Sequence, residues 1–227
     1  GVSVSTGGTG NSIQGNYIGT DADGNVDLGN TSTGVNVEGD NNTIGGSNPG
    51  EGNVISGNTS GIVVTLATTS GVIIRGNLIG TDSTGTADLG NTSNGIGITS
   101  ATGTTIGGSS AGARNVISGN NSNGIRLATT SGNIIQGNYI GTDITGTLNL
   151  GNTSHGIDLP SSASTNTIGG TAVGAGNVIS GNNGTGTNIF SGASNQVQGN
   201  LIGTDVTGTL DVGNSLSGIN INTATNT

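Results

Sequence analysis

Residues 133–143, reading NIIQGNYIGTD, recur as close copies at 11–21, 72–82 and 195–205. The aspartates that close the four copies, Asp21, Asp82, Asp143 and Asp205, stand 61, 61 and 62 residues apart. Spacing kept so evenly along a chain marks stacked structural repeats, in which each unit buries its apolar face only against its neighbours. The chain therefore reads as one segment, residues 1–227, built from four copies of a 61–62-residue unit with the last copy incomplete.

A shorter period runs inside the long one. Two aliphatics in alternation open each coil: Val2/Val4, Val35/Val37, Ile62/Val64, Ile96/Ile98, Ile125/Leu127, Ile157/Leu159, Thr187/Ile189 and Ile219/Ile221. Alternation of period two places both members of a pair on one face of a strand. A second segment brings one inward aliphatic (Ile13, Ile44, Ile74, Ile106, Ile135, Ile168, Val197), and a third reads Asn-X-Ile, as in Asn77-Leu78-Ile79. Three short strands per coil predict a triangular section, with equivalent strands stacked in parallel ladders about 4.8 Å apart. Right-handed winding is the default for parallel crossovers. The expected fold is all-β: a right-handed parallel β-helix, or β-solenoid, of about seven to eight coils. A chain with 48 Gly and only 29% hydrophobic residues has the composition of a disordered segment. The fixed offsets of its aliphatics argue for order instead.

Two kinds of coil alternate around a common frame of roughly 22 residues. One kind inserts after its third strand, at 19–32, 80–93, 141–154 and 203–217, and the other before it, at 45–52, 107–114 and 169–176. Each loop class should form a ridge, its members about 10 Å apart along the axis, bridged by side chains and water.

The motifs GI-x-L (residues 124–127), N-x-I-x-G-N-x-I-G-T-D (133–143) and N-V-I-S-G-N (177–182) resemble those of right-handed β-helix repeats, of pectate-lyase-like architecture, in large bacterial cell-surface and secreted proteins. The resemblance covers essentially the whole chain. It implies the β-helix fold and, for function, a spacer array, since chemistry on such a fold comes from residues added to it.

Asn16, Asn53, Asn77, Asn115, Asn138, Asn177 and Asn200 occupy one column between the second and third strands. An amide carries two donors and a two-lone-pair acceptor, so the column is expected to form a ladder bonding turn backbone and its own equivalents. Gly15, Gly76, Gly137 and Gly199 beside it supply freedom for a tight corner.

Eight of the twelve acidic residues lie in the long loops. Asp21, Asp23, Asn25 and Asp27 place oxygen ligands alternately around a Gly, as a calcium loop does. The other copies lack the middle ligands, and Asn149 replaces the second outer carboxylate after Asp143. An Asx-type turn, with the carboxylate accepting backbone N–H groups, accounts for all four copies and is the preferred reading. No metal or other cofactor is expected, and the loop carboxylates are expected to support nothing beyond their own turns.

Only Arg126 and Asp158, side by side on successive first strands, with His155 placed at the entrance to a second strand, look catalytic. An exposed ion pair explains them better. Glycan hydrolysis calls for two carboxylates at a set separation, and the neighbouring outward positions hold Gly97 and Asn188. Ice binding would need ranked Thr. Thr43, Thr105 and Thr167 are separated by Ile73, Ile134 and Gln196, which fills only every second rank.

A net charge of -9, with three Arg and no Lys, opposes nucleic acid and anionic membranes as partners. No apolar run approaches the roughly 20 residues of a membrane span, and the absence of Cys excludes disulfides. The expectation is a non-catalytic structural repeat of an extracellular or cell-surface bacterial protein: a rigid spacer, adhesin stalk or fibre-forming unit. Polysaccharide binding or cleavage is the alternative, and ice binding a further one. The chain opens at a first strand and stops at 222–227 just after one, so flanking repeats or end-to-end self-association are the expected partners, with a surface glycan as another.

Overall fold

A computed structural model describes residues 1–222 of the protein; residues 223–227, where the sequence reading places the stop after a last strand, lie outside it. Short parallel strands form three sheets, one of eight strands and two of seven. Chain order within each sheet steps by three. Coil one runs Val2–Val4, Ser12–Ile13, Tyr17–Ile18, and coil two runs Thr33–Val37, Thr43–Gly45, Val54–Ile55. Five more coils follow, opening at Ser60–Thr65, Ile96–Thr99, Ile125–Ala128, Ile157–Ser161 and Thr187–Ile189, before Ile219–Ile221 adds the eighth strand of the first sheet. This is the right-handed parallel β-helix of about seven coils that the repeat predicts. Among the described residues the only helical element is one 3₁₀ turn, Ala111–Ala113, and no helix is long and apolar enough to cross a membrane.

Each of the first six coils drives four aliphatics into a narrow core, and the seventh drives three with Thr187 in the remaining place. In coil four these are Ile96, Ile98, Ile106 and Ile117, all with no solvent exposure. Register stacks like on like: Ile106 lies between Ile74 and Ile135, and Ile117 between Ile79 and Ile140. Burying an Ile side chain contributes about 2 kcal/mol. A core only one side chain deep per sheet needs few such residues, which is why a chain so poor in hydrophobics folds. Close approach of coils sets the corners. Gly107 has φ +84°, and a Cβ there would run into the Gln136 carbonyl and the Asn138 amide of the next coil.

The amide ladder is continuous. Each Nδ2 from Asn16 to Asn177 donates to the Oδ1 of the next column member at 2.8–3.0 Å. The same oxygen accepts the preceding member's backbone N–H, as from Asn115 to Asn138 at 3.2 Å. The Nδ2 also donates to a second-strand carbonyl of the coil before, as from Asn138 to Ile106 at 3.0 Å.

Two further ladders stand at the other corners. Asn30, Asn58, Asn91, Asn120, Asn152, Asn182 and Asn214 link in the same direction between third and first strands, at 2.7–3.2 Å. The third corner carries Asn11 and Asn42, is interrupted at Val72 and Thr104, and resumes as Asn133, Asn166 and Asn195.

The long loops meet more directly than their axial spacing suggests. Ser83 N–H donates to Gly24 O, Ile144 to Gly85 and Val206 to Gly146, each at 2.9 Å. The loops reach along the axis, so backbone bonds join them beside the expected side-chain bridging, as from Ser83 Oγ to Asn25 Oδ1 at 3.1 Å.

Candidate functional site

A groove of about 470 Å³ lies on the outer face of the third sheet, between the two loop ridges. Its floor is the outward residue of the third strand in the first four coils, Tyr17, Val54, Leu78 and Val116; Asn48 and Pro49 come from one ridge, Ser83 and Ile144 from the other. Alternation explains the floor: Asn and Ile of each Asn-X-Ile point in, so X points out. Tyr17 is half exposed, while Tyr139 is buried. Arg114 caps Tyr139, its guanidinium carbon 4.1 Å from the ring centroid and its Nε donating to Gly137 O at 3.1 Å. The cation is thus occupied by a ring and a carbonyl of its own chain. Sequence reasoning missed this groove because its two walls are insertions from different coils. The signal was there in the large X residues, Tyr or Leu, of the coils with long loops after the third strand.

Each loop aspartate organises its own turn. Asp143 Oδ1 accepts the N–H groups of Thr147 and Leu148 at 3.1 and 3.0 Å, and Thr145 Oγ1 donates to the same carboxylate. Asp82 and Asp205 repeat the arrangement, and Asp21 Oδ1 accepts from Asn25 and Val26. These carboxylates close their own turns, as the Asx-type reading of the sequence expects: an acid that gathers two or three donors within its loop holds the hairpin closed. The Leu210 N–H above all holds the Asp205 carboxyl down at about 2. Burial works against the charged forms of Asp82 and Asp143, but their hydrogen bonds prevail and both sit below the usual carboxylate range.

In the calcium candidate, Asp27 Oδ1 accepts the Gly29 N–H at 2.9 Å and Asn25 Oδ1 accepts from Ser83 Oγ at 3.1 Å. Asn149 Oδ1 accepts the Gly151 N–H at the same 2.9 Å, so this position uses an oxygen that either Asp or Asn supplies. Among the described residues no three His, Cys, Asp or Glu side chains gather as a metal site, and Asp21, Asp23 and Asp27 do not converge.

Arg126 and Asp158 are register partners, as expected, yet the exposed ion pair is not formed among the described residues. Asp158 is buried and accepts a hydrogen bond from Asn188 Nδ2 at 2.8 Å. His155 precedes a first strand, Ile157–Ser161, rather than a second one. Its Nδ1 accepts the Thr185 N–H at 2.9 Å, which places it in a backbone-bonding column and not beside Asp158 as a catalytic partner. On the second sheet, Thr43, Thr105 and Thr167 alternate with Ile73, Ile134 and Gln196 in register.

Sheets, corners and ladders together define a parallel β-helix. No protein-family model matches the chain, and no curated protein matches it. Among solved structures it is similar to the A-modules of two mannuronan C-5 epimerases of Azotobacter vinelandii. With AlgE6 the identity is 17%, the TM-score 0.40, and the match covers 75% of this chain and 48% of that one. With AlgE4 the values are 19% and 0.38, covering 84% and 47%. The chain thus spans about half the length of the structures it matches.

Proposed function

We propose that this chain is a non-catalytic, rigid segment of an extracellular bacterial surface protein, working as a spacer or stalk. The observation that carries the reading is the pair of unbroken amide ladders, which tie every coil to the next at two of three corners. Side chains that elsewhere carry chemistry are spent on holding the rod: loop carboxylates close hairpins, Arg114 caps Tyr139, and Asp158 bonds Asn188. With three Arg and no Lys, the sequence also offers few sites to proteases that cut after basic residues, which suits an exposed rod.

Glycan binding is the competing reading, and the half-exposed Tyr17 in the outer groove favours it. Reducing-end and unsaturated-product assays over neutral and acidic polysaccharides are expected to stay blank, and titration calorimetry with the same panel to show no saturable heat. Turnover that disappears in Asp158→Asn overturns the non-catalytic reading. Saturable binding that weakens in Tyr17→Ala moves the protein to the binding class. Thermal hysteresis is expected to be absent, because the hydroxyl ranks on the second sheet are interrupted at every other coil.

A further inference from the structure

The residue just before the glycine of each first strand forms a fourth column along the rod. Asn94 Oδ1 accepts the Asn123 N–H at 3.2 Å, and Asn123 Oδ1 accepts the His155 N–H at 3.1 Å. Between coils six and seven the acceptor changes from an oxygen to an imidazole nitrogen. His155, the single histidine of the chain, takes the Thr185 N–H on Nδ1 at 2.9 Å.

The same seam carries a second departure. Thr187 faces inward where the column otherwise holds Val or Ile, and it pairs with Ile157. Its hydroxyl is fully buried with no hydrogen-bond partner. Coil six is itself irregular: Pro160 lies in its first strand, and the register with coil five shifts between Arg126 and Ala128.

We infer that the interface between coils six and seven is an acid-sensitive joint, opened when His155 takes up a proton. The neutral ring accepts on Nδ1 only while its proton is on Nε2; the imidazolium carries N–H on both nitrogens and accepts nothing. Protonation therefore turns Nδ1 into a donor facing the Thr185 N–H. The groups at the residue are neutral: the Gly184–Thr185 backbone of the coil after lies at Nδ1, and the Asn123 amide of the coil before takes the backbone N–H. The nearest ionisable side chains on the packed strands are Arg126 and Asp158, three positions beyond Asn123 and His155 respectively, and Asp158 is engaged by Asn188. An unpaired N–H at Thr185 then adds to the unpaired hydroxyl of Thr187 in one interface. Because a repeat stack is held by nearest-neighbour interfaces, the weakened one opens locally while the others stay closed.

Hydrogen exchange on the full chain tests this across pH 8 to 5, the range in which histidine changes charge. After correction for intrinsic rates, protection of the amides at 185–189 is expected to fall about tenfold, the scale of one lost buried acceptor, with coils two to four unchanged. His155→Asn restores the oxygen acceptor of the preceding coils and is expected to abolish the fall. Thr187→Val is expected to raise protection at both pH values and leave the fall in place. Nitrogen shifts of the imidazole at pH 8 are expected to place the proton on Nε2. A fall of equal size in His155→Asn, a fall shared by all coils, or a proton on Nδ1 at pH 8 overturns the inference.

Discussion

The backbone N–H of Ile144 lies 2.9 Å from the carbonyl oxygen of Gly85, joining loops that belong to alternate coils. With the matching bonds from Ser83 and Val206, it turns the long loops into an outer column beside the amide ladders. Each loop tip also rests on the outward residue of its own coil's third strand, as Gly146 rests on the ring of Tyr139.

That contact makes Gly146→Ala more disruptive than the same change at the last loop tip, Gly208. Gly146 has φ +72°, and an added Cβ would meet the Tyr139 ring at 2.9 Å and Val206 at 3.0 Å. Gly208 shares the φ of +72°, yet its Cβ would meet only Leu201 at 3.4 Å. Both pay about 1 kcal/mol for the left-handed backbone. Gly146→Ala is expected to cost at least about 1 kcal/mol more than Gly208→Ala by denaturant midpoint, and equal costs contradict the packing described.

Asn138→Leu is expected to lower stability by about 3 kcal/mol or more. It removes the acceptor of both the backbone and side-chain N–H groups of Asn115, and the donor to the Ile106 carbonyl. Unpaired buried groups cost about 1–3 kcal/mol each. Asp143→Ala strands Thr147, Leu148 and Thr145, but only at a loop, and is expected to cost about 1–2 kcal/mol. A reversed order of the two denaturant midpoints would show that the loops, not the ladder, hold the rod.

Thr104→Asn is expected to stabilise the protein by about 1 kcal/mol. Thr104 stands in the third amide column, donates its N–H to Asn133 Oδ1 at 2.9 Å, and buries a hydroxyl with no partner. An amide there supplies an oxygen towards the Val72 N–H and a second donor towards Asn133. A lower midpoint for the variant would mean the corner lacks room for the amide.

The loop hairpins should loosen in acid over a defined window. Asp205 is depressed from 3.8 to about 2 in the folded chain, chiefly by the Leu210 N–H. A depressed carboxyl stabilises the fold above its unfolded value and loses that contribution as pH falls through the folded one. Exchange of the Leu210 amide is expected to accelerate relative to intrinsic rates as pH falls from about 4 to about 2, and Asp205→Asn to remove the dependence. An unchanged profile in Asp205→Asn assigns the transition elsewhere.

Excess EDTA is expected to leave the thermal midpoint unchanged, since the oxygens of Asp21 and Asp27 already serve backbone N–H groups. A drop of many degrees on chelation would promote the first loop to a metal site.

The strands and the first amide ladder were legible because each ladder residue sits two positions before the inward isoleucine of the third strand, as Asn77 does before Ile79. The second ladder hid behind the insertions: Asn30 follows a long loop and Asn58 a short one, so their offsets from the third strand differ. The third hid because Val72 and Thr104 interrupt it. Loop-to-loop bonds such as Ile144 to Gly85 could not be read from axial spacing, which ignores how far a hairpin reaches along the rod. The ion pair expected for Arg126 and Asp158 failed for a local reason, since the amide of Asn188 on the next strand offers Asp158 a partner without a charge to desolvate.

Every amide-to-amide link in the two unbroken ladders points the same way, each side chain donating to the amide of the coil that follows and accepting from the amide of the coil before. The rod consequently has a polarity, like a zipper whose teeth face one direction. A coil turned end for end would set hydrogen against hydrogen on one side and oxygen against oxygen on the other. Lengthening such an object by in-frame duplication of whole coils creates only junctions it already possesses, and near-identical units at a constant step are what that mode of growth leaves in a sequence.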